Sequence, residues 1–200
     1  MRNLDKADGW NGVEKLSPKE FTCYKCGNNI CSNEGYRYGE SVGGEYRSYE
    51  DMAYIYICHK CKSPTYFNED DEQVPGSLYG DNILYLPKEV ESVYDEARKC
   101  FSVNAFTSVV LCCRKLLMNI SCELGASEGL NFVNYIDYLE RNNHIPSKAT
   151  PWIDKIRLLG NAGTHKMENR SREDAELSIQ FTSILLKIIY EMPGRLENIK

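Results

Sequence analysis

No uninterrupted apolar run in this 200-residue chain approaches the 18 or more residues that a membrane-spanning helix requires, so no such span is expected. The N-terminus "MRNLDKADGWNGVEK" is polar and acidic rather than signal-like, so a cytoplasmic protein is the expectation. Positive charge is not in surplus, because the formal net charge is -5. Residues 1–86 hold 9 basic and 14 acidic side chains, and residues 87–200 hold 15 of each. Broad, sequence-independent nucleic-acid binding needs clustered Lys and Arg, so composition disfavours it and leaves room only for a local patch. No internal repeat or low-complexity segment is present. With 42% hydrophobic and 26% charged residues, the chain has the makeup of a folded globular protein.

Cysteine is plentiful, with nine in the chain, and without an export signal these are expected as thiols and metal ligands rather than disulfides. "CYKC" at Cys23 and Cys26 is answered by "CHKC" at Cys58 and Cys61. Each C-x-x-C turn aims two thiolates at one point, and two turns complete the tetrahedral shell of structural Zn2+. Gly27 gives the first knuckle backbone freedom. Cys31 and His59 lie close enough in sequence to replace one thiolate. Four closed ligand positions leave none for water, so the metal's expected role is structural. Cys100, Cys112, Cys113 and Cys122 lie on or near apolar helical faces and read as small buried hydrophobes.

Composition changes near Pro87. Residues 1–68 form an N-terminal segment and Tyr-rich ribbon, residues 69–86 a linker with acidic and turn residues, and residues 87–200 a run of helices. Alternation over Tyr54, Tyr56 and Cys58 against Ile55 and Ile57 predicts a strand, "SPTYF" a second, and "GESVGG" a hairpin turn between two further short strands. Helical spacing of Val90, Val93, Tyr94, Ala97 and Phe101 opens the second part, with Pro87 in the first turn. The most apolar segment follows, bracketed by Asn104 as N-cap and Gly125 as C′ residue. A third helix carries Phe132, Val133, Ile136 and Leu139, and a fourth Trp152, Ile153, Ile156 and Leu159. Ser171 and Asp174 predict a capping box for the last, which Pro193 closes. His144, in a loop before Pro146, is expected in solvent. The fold class is α+β, a small β ribbon followed by a bundle of about five helices.

"IRLLGNAGTHK" resembles the HEPN superfamily of helical bundles, whose ribonuclease members carry an Arg, a polar residue, three further positions and a His before the final helix. Asn161 and His165 fit that spacing, but Gly160 stands in the Arg slot. Taken with "LPKEVESVYDEARKCFSVNAFTSVVLCCRKLLMNI", the closing "YEMPGRL" and the paired C-x-x-C ribbon, the chain is similar to the HEPN-related family called domain of unknown function 4145. That resemblance implies a setting near restriction and other prokaryotic antiviral defence genes, and bundles that pair as homodimers. A protein partner is the expectation. Metal-independent RNA cleavage would need His165 as proton shuttle, Asn161 to orient substrate, and a displaced cation such as Arg157, Lys166 or Arg170. The bland reading is that Asn161, Gly163 and His165 terminate a helix, with Gly160 permitting close packing. A non-catalytic binding or regulatory protein is the reading that the missing Arg favours.

Overall fold

The computed structural model describes residues 9–42, 48–161 and 169–198. Backbone contacts divide the chain into two compact units, Met1–Leu78 and Tyr79–Lys200. Among the described residues no helix is long and apolar enough to cross a membrane.

The first unit is a five-stranded antiparallel sheet in sequence order: β1 (Glu14–Thr22), β2 (Asn29–Val42), β3 (Ser48–Ile57), β4 (Pro64–Phe67) and β5 (Gln73–Val74). The alternation expected around Tyr54 and Tyr56 is realised in β3, and "SPTYF" supplies β4. The "GESVGG" hairpin differs from the expectation. Its strands are long, and β2 continues through Val42, which pairs with Ser48. Gly39 is itself a strand residue beside a register shift: Tyr38 pairs with Ala53 and Gly39 with Asp51, so Met52 of β3 is the extra residue of a bulge and the ladder continues. Residues 43–47 lie outside the described residues.

The sheet curls enough for its edge strands to meet. Gln73 Nε2 donates to the Thr22 carbonyl at 3.0 Å, and Lys19 of β1 pairs with Asp71 beside β5. Among the described residues its packed apolar cluster joins Phe21, Ile30, Tyr56 and Phe67 with Cys23 and Cys58. The rings of Phe21 and Tyr56 pack edge-on and near edge-on to Phe67 at 5.3 and 5.6 Å. That is a thin core for such a module.

The second unit is helical: α1 (Lys88–Ser102), α2 (Phe106–Glu123), α3 (Phe132–Arg141), a 3-10 turn (Ser147–Ala149), α4 (Thr150–Asn161) and α5 (Arg172–Leu186). A π turn (Lys187–Glu191) joins α5 to α6 (Met192–Glu197). The apolar α2 is central, packing on α1, α3 and α5 through Val109, Val110, Cys113, Leu116, Leu117 and Ile120. Cys113 is fully buried, whereas Cys100, Cys112 and Cys122 are half-buried. Tyr79, Ile83 and Leu86 join this core, and β5 belongs to the sheet, so residues 69–86 are shared out between the two units.

The helix ends follow local chemistry, with three departures from the sequence expectation. Asn104 is not the N-cap of α2; that position is Ala105. Asn104 instead ends α1 with φ +60, its N–H bonded to the Phe101 carbonyl while the Ala105 N–H bonds Cys100, which is a Schellman closure. Asn tolerates this left-handed position better than most residues. Gly125 closes α2 in the same way at φ +107. Pro193 does not stop the last helix. The preceding π turn shifts the backbone register and accommodates the donor that proline lacks, so helix continues to Glu197. His144 is half-buried and stacks on Tyr138 with ring centroids 6.2 Å apart. The Ser171–Asp174 capping box is present as expected.

Candidate metal centre

Antiparallel order places the β1–β2 and β3–β4 connections at one end of the sheet. Those two connections hold Cys23 and Cys26, and Cys58 and Cys61. The loops are built alike. In the first, the Gly27 N–H bonds the Cys23 carbonyl at 2.9 Å and the Cys23 N–H bonds the Asn28 carbonyl at 3.0 Å. In the second, Lys62 bonds Cys58 at 2.9 Å and Cys58 bonds Ser63 at 2.9 Å. Gly27 at φ +65 and Lys62 at φ +59 occupy the same left-handed position. Glycine takes it freely, whereas the lysine is held there by its hydrogen bond and by the strand that follows.

The four sulfurs lie within 4.8 Å of one another. Cys23 Sγ is 3.6 Å from Cys61 Sγ, and Cys26 Sγ is 3.8 Å from Cys58 Sγ. A tetrahedron with metal–sulfur bonds of about 2.3 Å has edges of about 3.8 Å, so this spacing fits a four-thiolate metal site. Cys23 and Cys58 are wholly buried against the sheet core, and Cys26 and Cys61 are half-buried. Cys31 and His59 are both exposed and outside the cluster.

The electrostatics favour thiolates on the outer pair. Hydrogen bonds from the side chain and backbone of Asn28 pull Cys26 below the ordinary thiol value. Burial pushes Cys61 up, yet the matching bonds from Ser63, helped by Cys23 and Cys58, bring it down to about 6. Burial, the largest influence on Cys23, raises it to about 12, although backbone bonds within its own knuckle oppose this. Bound cation would reverse that last effect, since a coordinating thiol is deprotonated. Asn28 and Ser63 were not singled out from the sequence. Their signal was there: each is a polar residue two positions after the second cysteine of its knuckle.

The second candidate site is only partly placed. His165 lies outside the described residues, as do Gly163 and Lys166, and of Asn161 only its place at the end of α4 is described. Arg157 is well defined and ion-paired. Its guanidinium binds Asp137 at 2.6 Å, Glu140 at 2.5 Å and Asp154 at 2.9 Å. Burial opposes its charge, but Glu140 and Asp137 outweigh that and hold it more firmly protonated. Arg170 donates to the Leu159 carbonyl at 3.2 Å, tying the segment before α5 to α4.

Sheet and bundle together define a protein with a four-cysteine β module preceding an α-helical domain. Residues 95–200 match the family described as Domain of unknown function (DUF4145), and the chain belongs to that family. No curated protein and no solved structure matches it.

Proposed function

We propose that this is a non-catalytic binding or regulatory protein: a structural Zn2+ held by Cys23, Cys26, Cys58 and Cys61 organises the sheet, and a HEPN-like bundle makes protein contacts. The setting implied by the resemblance is prokaryotic antiviral defence, with self-association as a homodimer, the most common homo-oligomeric symmetry. The observation that carries the non-catalytic reading is Arg157. A metal-independent ribonuclease needs fixed positive charge at the reacting phosphate, and Gly160 cannot supply it. The cation nearest in sequence is already surrounded by three carboxylates, which would repel a phosphodiester.

The ribonuclease alternative rests on His165 and Asn161 and is tested directly. Wild type, His165→Ala and Gly160→Arg are incubated with single-stranded RNA in the absence of added metal. Wild type is expected to leave RNA intact. Cleavage by wild type that His165→Ala abolishes without loss of fold would replace this reading with the enzymatic one. Light scattering at micromolar concentration tests self-association, and a 23 kDa monomer would remove the homodimer.

A further inference from the structure

The two knuckles carry more than ligands. Between their cysteines stand Tyr24-Lys25 and His59-Lys60, an aromatic ring followed by a cation in both loops, with Lys62 directly after the second. Lys25, His59, Lys60 and Lys62 are exposed, and Tyr24 is half-buried. Contacts join the loops into one surface: Lys60 Nζ donates to Asn28 Oδ1 at 2.8 Å, across from one knuckle to the other. Trp10 donates from Nε1 to the Lys62 carbonyl at 2.8 Å and leaves 44% of its surface exposed. Its ring stands edge-on to Tyr36, which fixes its orientation.

Charge is segregated to match. The unit is acidic overall, yet residues 21–33 and 52–68 contain no Asp or Glu. Glu34, whose charge reaches Lys62, is ion-paired with Lys15 at 2.9 Å. Four thiolates on a divalent cation leave two formal negative charges at the centre, and three lysines exceed them. Screening of the metal centre accounts for cations here, but not for aromatic rings alternating with them. Cations that track a backbone, beside rings on which bases stack, are the recognition chemistry of single-stranded nucleic acid.

We propose that the knuckle end of the sheet binds single-stranded nucleic acid through Lys25, Lys60 and Lys62 on phosphates and Tyr24, His59 and Trp10 on bases. The inference rests on the metal-held ribbon proposed above and is independent of what the bundle does. The preference is for flexible strands without base-specific readout, since every base offers a ring face.

The test uses the full chain loaded with zinc and a labelled oligo-deoxythymidine of about 12 nucleotides, within the usual span of such sites. Lacking 2′-hydroxyls, this probe is immune to the RNA cleavage tested above, so the two readings fail separately. Binding by anisotropy is expected at low salt, with log K falling against log salt at a slope of about -2 for three phosphate contacts. Lys25→Glu with Lys60→Glu should weaken it at least about tenfold, and Tyr24→Ala by roughly five- to tenfold with little change of slope. Lys115→Glu, exposed on α2, should change nothing. Should the double Glu variant shed zinc, Lys25→Gln with Lys60→Gln takes its place. Absence of binding at low salt, equal loss with Lys115→Glu, indifference to Tyr24→Ala, or a preference for anionic lipid vesicles over the oligonucleotide would each overturn the proposal.

Discussion

Substituting Cys58 by Ser separates a metal-built ribbon from a sheet that happens to contain four thiols. Cys58 is wholly buried, and its sulfur lies 3.8 Å from that of Cys26. Structural zinc stabilises zinc-finger peptides by about 10–16 kcal/mol, so one thiolate of four is worth about 3 kcal/mol on simple division. The serine hydroxyl adds about 1–3 kcal/mol for a polar group buried with no ligand bond. A loss of about 5 kcal/mol matches the lower end of single-domain stability. The small apolar cluster described for this sheet places it at that end. Cys58→Ser should therefore unfold residues 20–68.

Elemental analysis reads the first half of this outcome, one zinc per chain falling towards zero. Circular dichroism reads the second: the helical signal of the Tyr79–Lys200 unit should persist, because its core of Tyr94, Leu117, Ile136 and Ile179 owes nothing to the cysteines of the sheet. NMR dispersion of Tyr54 and Tyr56 should collapse, and a strong chelator should do the same to wild type. With four ordinary thiols, the substitution would cost only about 1–3 kcal/mol and chelation nothing. A metal-free chain that keeps its ribbon dispersion refutes the reasoning.

The helical unit offers three further tests. Burial pushes the Cys113 thiol from 9.0 up to about 12, so below pH 9 both folded and unfolded states hold the proton and stability is unaffected. Above pH 9 only the unfolded state releases it, and stability falls by about 1.4 kcal/mol per pH unit until about pH 12. Urea titrations at pH 8–11 should show wild type losing that increment relative to Cys113→Ala, and parallel curves would refute it. Arg157→Ala leaves Asp137, Glu140 and Asp154 without their cation, at an expected cost of about 1–3 kcal/mol, discounted for partial exposure; an unchanged Tm would show the cluster inert. Ser171→Ala removes the acceptor of the Asp174 N–H and should cost about 1 kcal/mol, a Tm fall of about 4 °C, with Ser171→Asn near neutral.

The cysteine spacing made the four-cysteine cluster legible because C-x-x-C restricts geometry locally and antiparallel order does the rest. Gly125 and the Ser171–Asp174 box were legible for the same reason: their chemistry acts within one turn. Asn104 shows where that kind of reading fails. Its side chain suits an N-cap and its backbone suits a left-handed C′, and both ends lie within three residues. Only the packing of α1 against α2, which sets where the first helix must stop, decides between them. Pro193 differed because a π turn just upstream, which no sequence pattern singled out, carries the helix past it.

The partners of Arg157 were not legible, for a reason that bears on function. From sequence it was a basic residue one turn before the Arg slot, and helical spacing could pair it only with Asp154. Its stronger partners, Asp137 and Glu140, come from α3, a different helix, and lie 20 and 17 residues away. Asp137 and Glu140 give the arginine a structural task, pinning α4 to α3, and with Asp154 the carboxylates on it outnumber its single charge. A nuclease centre grown at this end of α4 would have to overcome that field as well as the missing Arg. Among the described residues, exposed lysines beside aromatic rings are found on the cysteine knuckles, within the Met1–Leu78 unit.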